Sequence, residues 1–155
     1  MFPVHRAFFA FVALIAAAGA AHAADSTMFR DAGCGCCLKW LGQVKAAFGG
    51  AVKVVNAADM EAVKDRQGVP QALRSCHTVI VGAYVIEGHV PAKEIARLLR
   101  EKPKGVKGLA VAGMPLGSPG MEHGDHREAY KVMTFGPGGQ RVYASYAASG
   151  GAHRH

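Results

Sequence analysis

The sequence predicts a single α/β domain. Apolar side chains recur at helical spacing from Trp40 to Phe48 and again after Pro91, which predicts amphipathic helices. Short β-branched runs, such as Thr78–Val81, predict strands of a buried sheet. Helical and strand segments alternate along the chain, and the part that follows an N-terminal export signal has about 130 residues, the size of one domain.

The first half of the domain is predicted to contain two strands and two helices. A strand is expected at Thr27–Asp31, and the first helix ends at Gly49-Gly50, because glycine is the preferred residue after a helix C-terminus. A second strand follows at Ala51–Val55. Asp59 is placed to cap a second helix over Met60–Gln67.

The second half is predicted to add a β-hairpin and a third helix. Thr78–Val81 and Tyr84–Glu87 flank Gly82-Ala83, and a glycine at the first position of a two-residue loop favours a tight hairpin. Pro91 opens the helix that follows, at a position where proline is tolerated. The resulting order, β-α-β-α-β-β-α, is that of a thioredoxin-like domain, and other α/β sandwiches share it.

The composition changes beyond residue 102. Residues 103–120 are rich in glycine and proline and contain methionine, which predicts a loop. Tyr130–Phe135 and Arg141–Tyr146 predict a C-terminal hairpin. We therefore predict a thioredoxin-like metal-binding domain over residues 24–147 and a flexible tail over residues 148–155.

The N-terminal segment has the features of a cleaved secretory signal peptide. His5 and Arg6 precede twelve apolar residues, and the small-residue sequence Ala21-His22-Ala23 follows them. A membrane-spanning helix needs about twenty apolar residues, so this run is too short. We predict that residues 1–23 are removed and that the mature chain is exported without a membrane span.

The positive charge of the chain does not indicate a nucleic-acid partner. The formal net charge is +7 at pH 7, and its lysines and arginines are scattered over many segments. A nucleic-acid surface would concentrate them in one stripe with interleaved aromatic residues. The pattern predicts an ordinary solvated basic surface and no binding of nucleic acid.

The main candidate functional residues of the sequence are four cysteines. Cys34, Cys36 and Cys37 lie at the start of the first helix, where unpaired N–H groups and the helix dipole stabilise thiolates. Cys76 precedes the third strand. In a thioredoxin-like arrangement the loop that enters this strand lies against the N-terminus of the first helix, so we expect Cys76 to meet the other three in space.

Three uses of these thiols can be considered. Four cysteines in an exported protein usually form two disulfides, but here Cys36–Cys37 would be a strained vicinal bridge and Cys34–Cys37 a tight redox-type loop. A thiol/disulfide oxidoreductase fits the spacing of Cys34 and Cys37. However, the thiol of Cys36 lies between them and would promote exchange to other disulfide pairings. A metal site, the third use, would engage all four sulfurs.

Copper(I) is the predicted metal. Soft thiolates select copper(I), zinc or iron–sulfur clusters. Zinc prefers more widely spaced cysteines than the adjacent Cys36 and Cys37, and it remains the alternative. An iron–sulfur cluster fits poorly with an export signal that lacks twin arginines. Crowded thiolates suit several copper(I) ions that share sulfur atoms, so we predict a multinuclear cysteine-bridged site.

Three further residues are possible ligands. Met114 and Met121 put soft thioethers into the glycine- and proline-rich loop, although methionine also packs over cores. His77 follows Cys76, but in a strand its side chain would point to the opposite face, which favours a core or supporting role. His89 is interpreted as a polar turn residue, and Trp40 as a core residue under the cysteine turn.

Five motifs follow one another between Met28 and Tyr143: Cys34-Gly35-Cys36-Cys37-x-x-Trp40, Gly68-Val69-Pro70, Ser75-Cys76-His77-Thr78, Tyr84-Val85-Ile86-Glu87-Gly88-His89-Val90-Pro91 and Gly113-Met114-Pro115-x-Gly117-Ser118-Pro119-Gly120-Met121-Glu122. In this combination the chain resembles the periplasmic CopG-like copper-resistance proteins. The resemblance implies a thioredoxin-like fold, a periplasmic location and a cysteine-bridged multinuclear copper cluster. It implies that Cys34, Cys36, Cys37 and Cys76 hold the copper ions. Other periplasmic copper-handling proteins are possible partners, and a redox role is a further implication.

The signal peptide yields the first prediction. Protein isolated from its native host should begin near Ala24 and should fractionate outside the cytoplasm, because the segment before it has the composition of a cleavable signal. N-terminal sequencing of the mature chain checks this. Protein with an intact Met1 that remains anchored in the inner membrane would contradict it.

Overall fold

The computed structural model describes residues 25–150, and the predicted signal peptide and residues 151–155 lie outside that range. The described residues form one mixed α/β domain with a seven-stranded sheet and three α-helices, which confirms the predicted α/β class. No helix within residues 25–150 is both long and apolar enough to cross a membrane.

The elements alternate along the chain. The strands β1 to β7 span Ser26–Arg30, Val52–Asn56, His77–Val81, Tyr84–Glu87, Gly108–Ala110, Tyr130–Phe135 and Arg141–Tyr146. The helices α1, α2 and α3 span Gly35–Val44, Met60–Gln67 and Ala92–Glu101, with short 3-10 segments at Lys45–Phe48 and Gln71–Leu73.

The sheet has the strand order β2-β1-β3-β4-β5-β6-β7. The strand β1, next to the edge strand β2, pairs in parallel with β2 and antiparallel with β3. The strands β3 and β4 form the predicted hairpin, with Val81 opposite Tyr84. The strand β5 extends the sheet in parallel with β4, and the C-terminal hairpin of β6 and β7 completes it.

Local sequence signals explain how two of the helices begin and end. The Asp59 side chain accepts a hydrogen bond from the Ala62 backbone N–H at 2.9 Å, which confirms the predicted cap of α2. The first helix is α-helical only to Val44 and then tightens into the 3-10 segment. That segment ends at Gly49, whose φ of 71° is readily accessible to glycine.

The strand β5 corrects the prediction that residues 103–120 form only a loop. Its residues, Gly108 to Ala110, include only one large apolar side chain, so composition gives little strand signal. Glycine is required at position 108, because a Cβ atom there would lie 2.2 Å from the Val85 carbonyl oxygen. Ser149 also departs from the predicted tail, since its backbone pairs with that of Arg127.

The sheet has an apolar core on each face. On one face α1 and α3 cover the sheet with Trp40, Ile95 and Leu98, all fully buried. On the other face a smaller cluster includes Val69 and Phe135. Trp40 donates its indole N–H to the Val90 carbonyl oxygen at 2.9 Å, which satisfies the polar atom of this core residue under the cysteine turn.

Candidate metal centre

A tight turn delivers three cysteines to the start of α1. The Cys34 backbone N–H donates to the Asp31 carbonyl oxygen at 3.1 Å, and the Gly33 N–H donates to the Asp31 carboxylate at 2.8 Å. Cys34 is the N-cap residue of α1, and Cys36 and Cys37 lie in its first turn. The helix N-terminus therefore faces the sulfur atoms, as the sequence predicts.

The sheet register brings the fourth cysteine to the same place. Because β1 and β3 are antiparallel and Arg30 lies opposite His77, the chain leaves β1 beside the point at which it enters β3. Cys76 directly precedes β3. The predicted meeting of Cys76 with the cysteine turn is confirmed, since the sulfur atoms of four cysteines lie within 4.8 Å of one another: Cys34, Cys36, Cys37 and Cys76.

Two of these sulfurs are joined covalently. Cys34 and Cys37 form a disulfide, and Cys36 and Cys76 are free. The Cys36 sulfur lies 3.3 Å from the Cys34 sulfur. The described structure is therefore the oxidised form of the turn, and the two-disulfide arrangement considered above is not the one that these cysteines adopt.

Two histidines contact Cys76, which corrects the predicted direction of the His77 side chain and the interpretation of His89. The Cys76 sulfur lies 3.2 Å from His77 Nδ1 and 3.1 Å from His89 Nε2. Both imidazoles are fully buried. His77 does not point away from Cys76, because Cys76 lies in a bend before β3 and the alternation of a strand does not extend to it. His89 is a buried partner of Cys76 rather than a polar turn residue.

The hairpin register explains the position of His89 and is the signal that sequence reasoning missed. Thr78 lies opposite Glu87 in the β3–β4 pair, and the Gly88 N–H donates to the His77 carbonyl oxygen at 2.9 Å. One step further along the same register, Cys76 lies opposite His89. The predicted tight turn at Gly82-Ala83 sets that register, so the contact could have been derived from it.

Burial keeps these side chains neutral in the metal-free protein. Loss of hydration lowers the pKa of His77 well below its usual value, and the neighbouring imidazole of His89 and the ammonium of Lys64 lower it further. Burial also lowers the pKa of His89. Burial raises the pKa of the Cys76 thiol to about 12. A metal ion bound here would have to displace the thiol proton.

The glycine- and proline-rich loop lies over the cysteine turn. A Cβ atom at Gly120 would come within 2.8 Å of the Trp40 backbone nitrogen and 2.9 Å of the Cys36 carbonyl oxygen, so only glycine permits this approach. The carboxylate of Glu122 binds Lys39 and Gln43 of α1. Met121 lies between these two anchored residues.

The two loop methionines differ in their surroundings. Met114 is 50% exposed, so its side chain does not pack into a core. Met121 is half-buried. The structure places the backbone of Met121 on the loop segment that touches α1, whereas Met114 follows Gly113, whose carbonyl oxygen accepts a hydrogen bond from Ser75.

A buried ion pair between Lys64 and Glu87 anchors the chain on both sides of Cys76 and His77. Lys64 Nζ donates to Glu87 Oε1 at 2.8 Å, and the Ser75 backbone N–H donates to the same oxygen at 2.7 Å. Thr78 Oγ1 donates to Glu87 Oε2 at 2.6 Å. Burial raises the pKa of Glu87, while these three donors act in the opposite direction. One carboxylate thus fixes the residues on both sides of Cys76 and His77.

Comparisons with known proteins agree with a copper-handling site. A protein-family model described as "Protein of unknown function, DUF411" matches residues 73–121. The solved structure titled "Copper resistance protein copG- Form 1" is 43% identical, with a TM-score of 0.73 over 80% of this chain and 98% of its own. The structure titled "Form 2" is 44% identical, with the same TM-score over 79% and 98%. No curated protein sequence gives a significant match.

The buried ion pair yields the second prediction. Lys64→Met should lower the free energy of unfolding at neutral pH by about 3–5 kcal/mol, because the Glu87 carboxylate stays buried without its cation. Urea denaturation measures the change. Lys39→Met is the matched control, since it breaks an exposed pair with Glu122 that contributes about 0–1 kcal/mol. An equal loss in both variants would contradict the stabilising role of the buried pair.

Proposed function

Because the chain belongs to the family of CopG-like copper-resistance proteins, we propose that it binds copper through its four cysteines. The observation that carries the proposal is the convergence of their sulfur atoms within 4.8 Å at the start of α1. Copper is a soft metal, and thiolates are its preferred protein ligands. The similar structures are named for copper resistance, which agrees with this donor set.

We infer that the metal is copper(I) and that more than one ion is bound. A single tetrahedral ion would use all four sulfurs, whereas adjacent thiolates such as Cys36 and Cys37 are suited to bridge two ions each. The Cys34–Cys37 disulfide withholds two of these ligands. Its reduction takes two electrons and two protons and yields two thiols, so the cluster belongs to the reduced protein.

The proposed setting is the periplasm, after removal of residues 1–23. We propose a thioredoxin-like fold for the first four strands, which is supported by the order β2-β1-β3-β4 with β1 and β2 parallel and β3 antiparallel to β1. Other periplasmic copper-handling proteins are the proposed partners in metal transfer. The loop over residues 113–121 lies beside the cysteines and is the surface through which such a partner would approach them.

A thiol/disulfide oxidoreductase is the second candidate. The observation in its favour is the Cys34–Cys37 disulfide at a helix N-terminus, with the free thiol of Cys36 beside it. In that function a substrate dithiol would give up two electrons and two protons to the disulfide. Cys76 would then have no essential role, which separates this candidate from the copper site.

Cys76→Ser yields the third prediction. After full reduction, anaerobic titration should load more than one copper(I) per wild-type chain, and Cys76→Ser should lower both the stoichiometry and the affinity, because it removes a bridging sulfur. Competition with a chromophoric copper(I) chelator measures both quantities. A thiol count before loading should give four in the wild type and three in the variant.

The other outcomes of this titration assign the other functions. Binding of one copper or fewer per reduced wild-type chain would refute the multinuclear copper site and make zinc the preferred metal. Unchanged copper binding in Cys76→Ser, together with full disulfide-exchange activity that depends on Cys34 and Cys37, would establish the oxidoreductase instead.

The methionines yield the fourth prediction. Replacement of both Met114 and Met121 with leucine should weaken copper(I) retention by the reduced protein, because two candidate soft thioether ligands are lost. The melting temperature of the metal-free protein should hardly change, since leucine and methionine are close in volume and Met114 is exposed. Met133→Leu, on the opposite face of the sheet, is the matched control. Equal copper affinity in all three proteins would leave the loop methionines without a ligand role.

A further inference from the structure

We propose that Cys76, His77 and His89 form a second copper site, which holds a single ion while the Cys34–Cys37 disulfide is closed. The choice of copper rests on the function proposed above, but the site itself rests on the geometry of these three residues. It deepens that function, because it provides a place for copper in the oxidised protein.

The three donor atoms already surround one point. The Cys76 sulfur is 3.2 Å from His77 Nδ1 and 3.1 Å from His89 Nε2, and all three atoms lie within 4.8 Å of one another. Metal bonds of about 2.0–2.1 Å to nitrogen and about 2.3 Å to sulfur separate neighbouring ligands of one ion by about 3–4 Å. An ion can therefore bind here after small shifts of these side chains.

The hydrogen bond on the far side of His89 sets its tautomer. His89 Nδ1 lies 2.8 Å from the Pro119 carbonyl oxygen, which can only accept, so Nδ1 carries the proton. Nε2 then directs a lone pair at Cys76. A ligating histidine almost always donates its other N–H to a carboxylate, a carbonyl or water, and this bond orients the ring. The loop over the cysteine turn supplies that carbonyl.

Apart from the Cys76 sulfur, the Gly88 backbone is the polar partner of the buried His77 imidazole. Its Nε2 is buried without a hydrogen-bond partner, and its ring lies 4.3 Å from the ring of Trp40. The Cys76 sulfur is the polar atom in contact with Nδ1. A buried imidazole with so few polar contacts lowers stability, and a bond from Nδ1 to a metal would offset part of that cost.

The donor set selects copper. One thiolate and two imidazoles in a trigonal arrangement are the ligands of mononuclear copper sites, whereas a structural zinc ion takes four ligands. None of the three donor atoms takes part in the disulfide. The oxidised protein, in which the four-cysteine cluster has only Cys36 and Cys76 as free sulfurs, therefore retains a complete set for one ion.

The decisive experiment loads the oxidised protein with copper(I). Wild-type protein is kept free of reductant, its two free thiols are counted, and one equivalent of copper(I) is added without oxygen. One equivalent cannot fully reduce a disulfide, which needs two electrons. We expect one copper per chain. His89→Gln should weaken this binding by about 100-fold or more, because it removes a ligand whose supporting contacts alone are worth 10–100-fold.

The same variant in its reduced form separates the two sites. Reduced His89→Gln should still bind more than one copper(I), because its four cysteines are intact. His126→Gln replaces an exposed histidine outside the group and should behave as the wild type in both states. If the reduced wild type binds no more than one copper, the four-cysteine cluster is refuted. The test of the histidine site in the oxidised protein does not depend on that result.

Two results would overturn the histidine site. The first is an oxidised wild type that binds no copper, or one whose affinity is unchanged by His89→Gln. The second comes from X-ray absorption of the oxidised wild type with one copper, which needs no variant to fold. Nitrogen and sulfur neighbours together support the site, and a shell of sulfur alone excludes it.

Discussion

The antiparallel pairing of β3 with both β1 and β4 is the constraint on which the site depends. Pairing with β1 sets Cys76 beside the turn that carries the other cysteines. Pairing with β4 sets His89 opposite Cys76. A slip of one residue in either register would reverse the faces of the strand and separate these side chains. The tight hairpin turn and the buried Lys64–Glu87 pair both resist such a slip.

The buried network and the loop hold the site from opposite sides. Glu87 binds the backbone of Ser75 from within the domain, and Pro119 accepts the hydrogen bond of His89 from the loop above. Trp40 packs against His77 from α1. Each of these contacts orients a potential ligand rather than supplying one, and such supporting contacts set the affinity of metal sites together with the ligands themselves.

Much of this arrangement could be predicted from the sequence, and the exceptions have physical causes. Cap, turn and periodicity signals predict the α/β class, the β3–β4 hairpin and the C-terminal hairpin, and the hairpin register even places His89. The course of the loop could not be predicted, because the approach of Gly120 to Cys36 depends on tertiary packing. The burial of Lys64 could not be predicted either, because α2 is polar in composition and the partner Glu87 comes from another element. The disulfide depends on redox state, which a sequence does not encode.

The crowding of the four sulfurs explains why the disulfide and a copper cluster on all four cysteines should exclude each other. Four thiolates within 4.8 Å in a partly buried site would repel one another strongly, because like charges at that distance are poorly screened. The protein can avoid this repulsion by keeping a thiol protonated, as burial does for Cys76, by joining two sulfurs, as Cys34 and Cys37 do here, or by placing cations between them. Cys76 is common to the four-cysteine group and to the histidine group. It is therefore the residue through which a bound ion could remain attached while Cys34 and Cys37 change between thiolate and disulfide.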